Sequence, residues 1–114
     1  MEFLNQFSKW STNKNLQTSP KAFEDAKHSY IDTIACILAG KKHSISNKLK
    51  NYNKIFNSGR SMYGKALEYG AQSGILDFDD YEAAGSSHCS GPIISSVLAL
   101  TSNKNFSSGI KTLY

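Results

Sequence analysis

The chain has 114 residues, a formal net charge of +4, 39% apolar and 19% charged residues. That length holds one domain at most, and that balance belongs to a chain that folds rather than one that stays disordered. No apolar run nears the roughly 20 residues needed to span a bilayer, so no membrane-spanning helix is expected.

The first ten residues, MEFLNQFSKW, carry Phe3, Leu4, Phe7 and Trp10 at helical spacing, so a short amphipathic helix is predicted there. An acid at position 2 and the lack of an apolar h-region argue against a signal peptide. Cys36 and Cys89 have no paired spacing. The expectation is a cytoplasmic protein with two reduced thiols. STNKNLQTS, residues 11–19, reads as a polar loop.

Ser19 and Pro20 then mark a helix start. The serine hydroxyl can accept a free first-turn N–H, and proline at the first helical position loses nothing by lacking its own. Glu24 and Asp25 lie near the positive end of the helix dipole. Phe23, Ala26, Tyr30, Ile34, Ile37 and Leu38 form an apolar stripe, widened by Ile31 and Ala35. Gly40 followed by Lys41 and Lys42 predicts a stop with a left-handed glycine cap. Asp32 interrupts the stripe and is expected to face solvent or a nearby lysine, the alternative being a buried structural contact.

Residues 45–56 form a second amphipathic stretch through Ile45, Leu49, Tyr52, Ile55 and Phe56. NSGRS is a turn. Residues 62–75 read as a further helix, weakened by Gly64, Gly70 and Gly74. Charge is uneven along the chain: residues 1–65 hold eleven Lys/Arg against four acids, and residues 66–114 two Lys against five. The lysines are scattered and lack regular aromatic interleaving, so the basic half reads as solvated surface, with no nucleic-acid partner. Pro92 opens the last clear helix. Its apolar residues, Ile93, Ile94, Val97, Leu98 and Leu100, are dense enough to predict burial on most sides. NFSSGIKTLY, residues 105–114, begins another element. Strand alternation is absent, so the predicted fold class is all-α.

Between the last two helices, ILDFDDYE places Asp77, Asp79, Asp80 and Glu82 within six residues. One reading is a solvated loop that caps the next helix. An EF-hand is excluded: counting from Asp77, Glu82 stands where a glycine is required and His88 where the bidentate glutamate belongs. A looser Mg²⁺ site stays open. The D-x-D-D letters also occur in class II terpene cyclases, whose length and aromatic content this chain lacks. A last reading uses the whole stretch. His88 lies eleven residues after Asp77, just before Ser90, Gly91 and Pro92. A helix N-terminus attracts a carboxylate, an imidazole beside it can move a proton near neutral pH, and the small residues 83–87 permit close approach. Such a site suits proton removal next to a carboxylate.

Three stretches in order, YIDTIACILAG (Tyr30–Gly40), LDFDD (Leu76–Asp80) and HCSGPIISSVLAL (His88–Leu100), resemble the N-terminal part of the MmgE/PrpD family, which includes 2-methylcitrate dehydratase and cis-aconitate decarboxylase. FSSGIKTLY resembles the segment that follows. The resemblance runs from about residue 19 to the end. It implies part of a helical domain whose acidic loop lines a pocket for small di- or tricarboxylates, with acid/base chemistry and no metal or organic cofactor. Asp77 and His88 fall on catalytic positions, and Asp80, Tyr81, Ser90 and Gly91 on substrate-binding positions. The pattern departs from the family at Tyr69 (usually Asn), Gly74 (His), Tyr81 (often Thr), Cys89 (Pro) and Ser95, near a usual proline. Family enzymes are several times longer, and their catalytic lysine and histidine lie downstream of the resembling part. The expectation is therefore a truncated lyase, inactive alone: either a split-gene remnant or a piece that works only with a complementary C-terminal chain, with a homodimer as a further possible partner. The alternative is a small helical interaction module without catalysis.

Overall fold

The computed structural model describes residues 1–13, 19–55 and 61–101. Among these the fold is all-α: α1 (Glu2–Ser11), α2 (Pro20–Gly40), α3 (Ser44–Ile55), α4 (Met62–Gly74) and α5 (Ser90–Thr101). The proposed element at 105–114, most of the loop at 11–19, Phe56 and most of the NSGRS turn lie outside the described residues. Among the described residues, no helix is long and apolar enough to cross a membrane.

Local signals set the helix starts. Ser19 Oγ accepts the Ala22 N–H at 3.1 Å with Pro20 behind it, and Ser61 Oγ accepts the Gly64 N–H at 3.0 Å to open α4. Each satisfies one of the four donors a helix N-terminus leaves free. The glycines predicted to weaken α4 leave it regular through Gly74. α5 begins two residues before Pro92; a proline in the first turn removes an N–H that has no helical partner.

α4 is the centre of the molecule. It packs against α5 and α2, and α3 lies on it. The helices meet through small and polar residues: among the described residues, Cys36, Ile37, Ile94 and Ala99 are the buried apolar side chains, beside buried Thr33, Ser46, Asn53, Gln72, Ser73 and Ser95. The crossing of α2 and α4 explains Gly40. It has no left-handed conformation, and α2 runs on into Lys41 with right-handed geometry, so the predicted glycine cap is corrected. Glycine is needed there because a Cβ would collide with the Gln72 carbonyl oxygen. The Gly40 carbonyl in turn accepts the Ser46 hydroxyl at 2.8 Å, which anchors α3.

Close approach also redirects the predicted stripes. The buried face of α2 runs through Thr33, Cys36, Ile37 and Gly40, while Phe23, Ile31 and Leu38 are exposed. Asp32 faces solvent as expected. α3 buries Ser46 and Asn53, whose Nδ2 donates to the Gly64 carbonyl at 3.2 Å; its apolar Ile45, Tyr52 and Ile55 are exposed. α5 buries one face, Gly91, Ile94, Ser95 and Ala99, and leaves Ile93 and Leu100 exposed. This corrects the expectation of burial on most sides. α1 forms as predicted, but none of its residues is buried.

Candidate functional site

The acidic loop joins α4 to α5, and its shape follows from a tight turn. Glu82 and Ser87 exchange backbone hydrogen bonds at 2.9 and 3.2 Å. The Glu82 carboxylate accepts the N–H groups of Ala84 and Gly85 inside the turn. Ser86 takes a positive φ of 48°. Pairing residue 82 with 87 sets residue 81 beside 88, and the Tyr81 ring meets the His88 ring edge-on, centroids 5.5 Å apart. Small residues 83–87, read from the sequence as room for a ligand, build this turn.

Asp80 and Ser90 come together next. One Asp80 oxygen accepts the Ser90 N–H at 3.2 Å and the other its hydroxyl. The carboxylate thus caps the first turn of α5 from outside the helix and faces the positive end of its dipole. Gly91 is buried behind this cap. A Cβ on it would stand 2.8 Å from Ser73 Oγ and 3.4 Å from Asp79 Oδ2, so glycine lets α5 approach α4 there.

The loop brings Asp77 and His88 together. Asp77 closes the end of α4 by donating its N–H to the Gly74 carbonyl at 3.1 Å. Its φ is +56°, a left-handed conformation that aspartate tolerates better than most residues. Its side chain is 90% exposed, and Oδ1 lies 4.0 Å from His88 Nε2. The other ring nitrogen, Nδ1, lies 3.4 Å from Oδ2 of Asp79, whose side chain is 6% exposed. Ligand atoms of Asp77, Asp79 and His88 all lie within 4.8 Å of one another. Asp79, read from the sequence only as one acid of the cluster, is the carboxylate set against Nδ1. The signal for it was the turn at 82–87, which folds the chain back and returns His88 to the acids.

The negative charge reaches the core. Burial pushes the Cys36 thiol above its ordinary value, and Asp32, Asp79 and Asp80 add to the shift. Cys36 is thus held as a neutral thiol, while Cys89 is exposed with Sγ 3.1 Å from Ser87 Oγ. A separate groove of about 610 Å³ lies over α2, α4 and α5, and its lining includes Ile34, Leu38, Leu98, Lys41, Lys50 and Lys65. No residue of the acidic loop lines it.

The chain matches no family model, no curated protein and no solved structure.

Proposed function

We propose that this chain carries the acid/base loop of an MmgE/PrpD-type lyase, a dehydratase or decarboxylase of small di- or tricarboxylates. The observation that supports the reading is the meeting of Asp77 and His88, eleven residues apart, with Nε2 4.0 Å from the Asp77 carboxylate. Dehydration and decarboxylation both exchange a proton at a carbon next to a carboxylate. An imidazole does so near neutral pH, and its cationic form also attracts the substrate's negative charge. Tyr81 edges the ring, and Asp80, Ser90 and Gly91 fix the helix mouth beside it. Free Cys36 and Cys89 fit a cytoplasmic setting.

Turnover needs its groups held in one geometry. The lysine and histidine that complete the site in the family's enzymes belong to sequence downstream of the part this chain resembles, so the proposal includes a downstream part that supplies them. The test is complementation. The purified chain is assayed on 2-methylcitrate and cis-aconitate, alone and mixed with a polypeptide carrying that downstream part of a family enzyme. Activity in the mixture only, abolished by His88→Ala, is the expected result. A mixture that binds but stays inactive refutes the lyase reading.

A second reading is favoured by one observation: α1 exposes Phe3, Leu4, Phe7 and Trp10 on a helix with no buried residue. Aromatic clusters of this kind commonly dock partners. An interaction module of this type would keep its binding in His88→Ala and lose it when Phe7 and Trp10 are replaced.

A further inference from the structure

We infer that Asp79 is a positioning residue for His88: it holds the imidazole proton on Nδ1 and leaves Nε2 as the basic nitrogen. The inference deepens the acid/base reading and rests on it for its functional meaning. The two carboxylates that face the ring differ sharply. Asp77 is 90% exposed, so water screens it and competes for it. Asp79 is 6% exposed, wedged where α4 ends and α5 begins: a Cβ on Gly74 would stand 3.7 Å from its Oδ2, and one on Gly91 3.4 Å. A buried carboxylate needs a donor. Among the described residues, its one ion-pair partner within 4.0 Å is His88 Nδ1. The nitrogen that faces the buried acceptor keeps the proton, because the hydrogen bond at one ring nitrogen sets the state of the other. Nε2 is then left with its lone pair, directed to the exposed side where Asp77 stands.

A shared divalent ion is the competing use of the same three residues. An ion takes a single ring nitrogen and gathers all its ligands at about 2.0–2.2 Å. Here the carboxylates face opposite nitrogens of one ring, which suits a proton held on one side and given or taken on the other.

The test is the tautomer of neutral His88, read from its ring ¹⁵N resonances in the isolated chain, with the His88→Gln spectrum for assignment against His28 and His43. The expected wild-type form is Nδ1–H. Asp79→Asn and Asp79→Ala should both move the ratio toward Nε2–H by about tenfold, the effect of removing the carboxylate 3.4 Å from Nδ1, with the amide fingerprint of the fold retained. Asp77→Asn should leave the ratio unchanged. A wild-type ring that is mainly Nε2–H, or a ratio that responds to Asp77→Asn and not to Asp79→Ala, would overturn the inference. Should the Asp79 variants fail to fold, the wild-type and Asp77→Asn spectra still decide it. Stoichiometric Zn²⁺ uptake through His88 Nδ1, lost in both Asp77→Asn and Asp79→Ala, would overturn it as well. No substrate enters this experiment. The expected tautomers combined with an inactive complementation mixture would refute the lyase and keep the pair.

Discussion

Replacing Gly40 and Gly70 by alanine should move stability in opposite directions. Both glycines are helical, and helix propensity alone favours Ala over Gly by about 0.8–1 kcal/mol at each. The surroundings differ. A Cβ at position 70 meets nothing within 4 Å, whereas one at position 40 collides with the Gln72 carbonyl oxygen. That oxygen is backbone, so relief requires α2 and α4 to separate. Overpacking of this kind costs about 1–3 kcal/mol, and separation also strains the Ser46 hydroxyl bond to the Gly40 carbonyl, worth about 1 kcal/mol. After the propensity gain is subtracted, Gly40→Ala should lose about 1–3 kcal/mol and Gly70→Ala gain about 0.5–1. Urea titration followed by far-ultraviolet circular dichroism measures both, as midpoint shifts at constant slope. An equal gain for the two variants would refute the close crossing of α2 and α4.

Asp80→Ala should cost about 1–2 kcal/mol through loss of the α5 cap, with faster amide exchange at Ser90 as the local readout. A thiol reagent should label exposed Cys89 at once and buried Cys36 only after unfolding, as peptide mass mapping would show. Stability should fall above about pH 9. The Cys36 thiol is raised from its ordinary 9.0 in the folded chain, so the unfolded chain ionises first, and the stabilisation present below that pH is lost as pH rises through the folded value. Burial raises Tyr30 as well, which extends the loss at higher pH. Urea midpoints across the alkaline range would check the sign, and Cys36→Ala should flatten the first part of the decline.

Much of the fold was legible because it rests on local chemistry. The Ser19–Pro20 start, the α1 periodicity and the all-α class need only nearest-neighbour rules. What the pattern could not give is which face of each helix is buried. Apolar count points to Leu38, Ile45 and Ile93, yet the crossings select Gly40, Ser46 and Gly91, because backbone proximity there outweighs side-chain hydrophobicity. In the loop, Asp77 and His88 stood out as residue types, but their meeting depends on the turn at 82–87. Asp79 stood there only as one acid of the cluster, because nothing in D-F-D-D distinguishes the buried acid from its exposed neighbours. Only the packing of α4 on α5 does so.

Among its described residues the molecule is held together mainly through serine, threonine, glutamine and glycine contacts and hides little hydrocarbon from water. Opening it should therefore absorb less heat per degree than the roughly 12–15 cal/mol/K per residue of ordinary globular domains. Its stability curve would be flat and its melting gradual, and any partner that covers the exposed aromatic and aliphatic side chains would sharpen both.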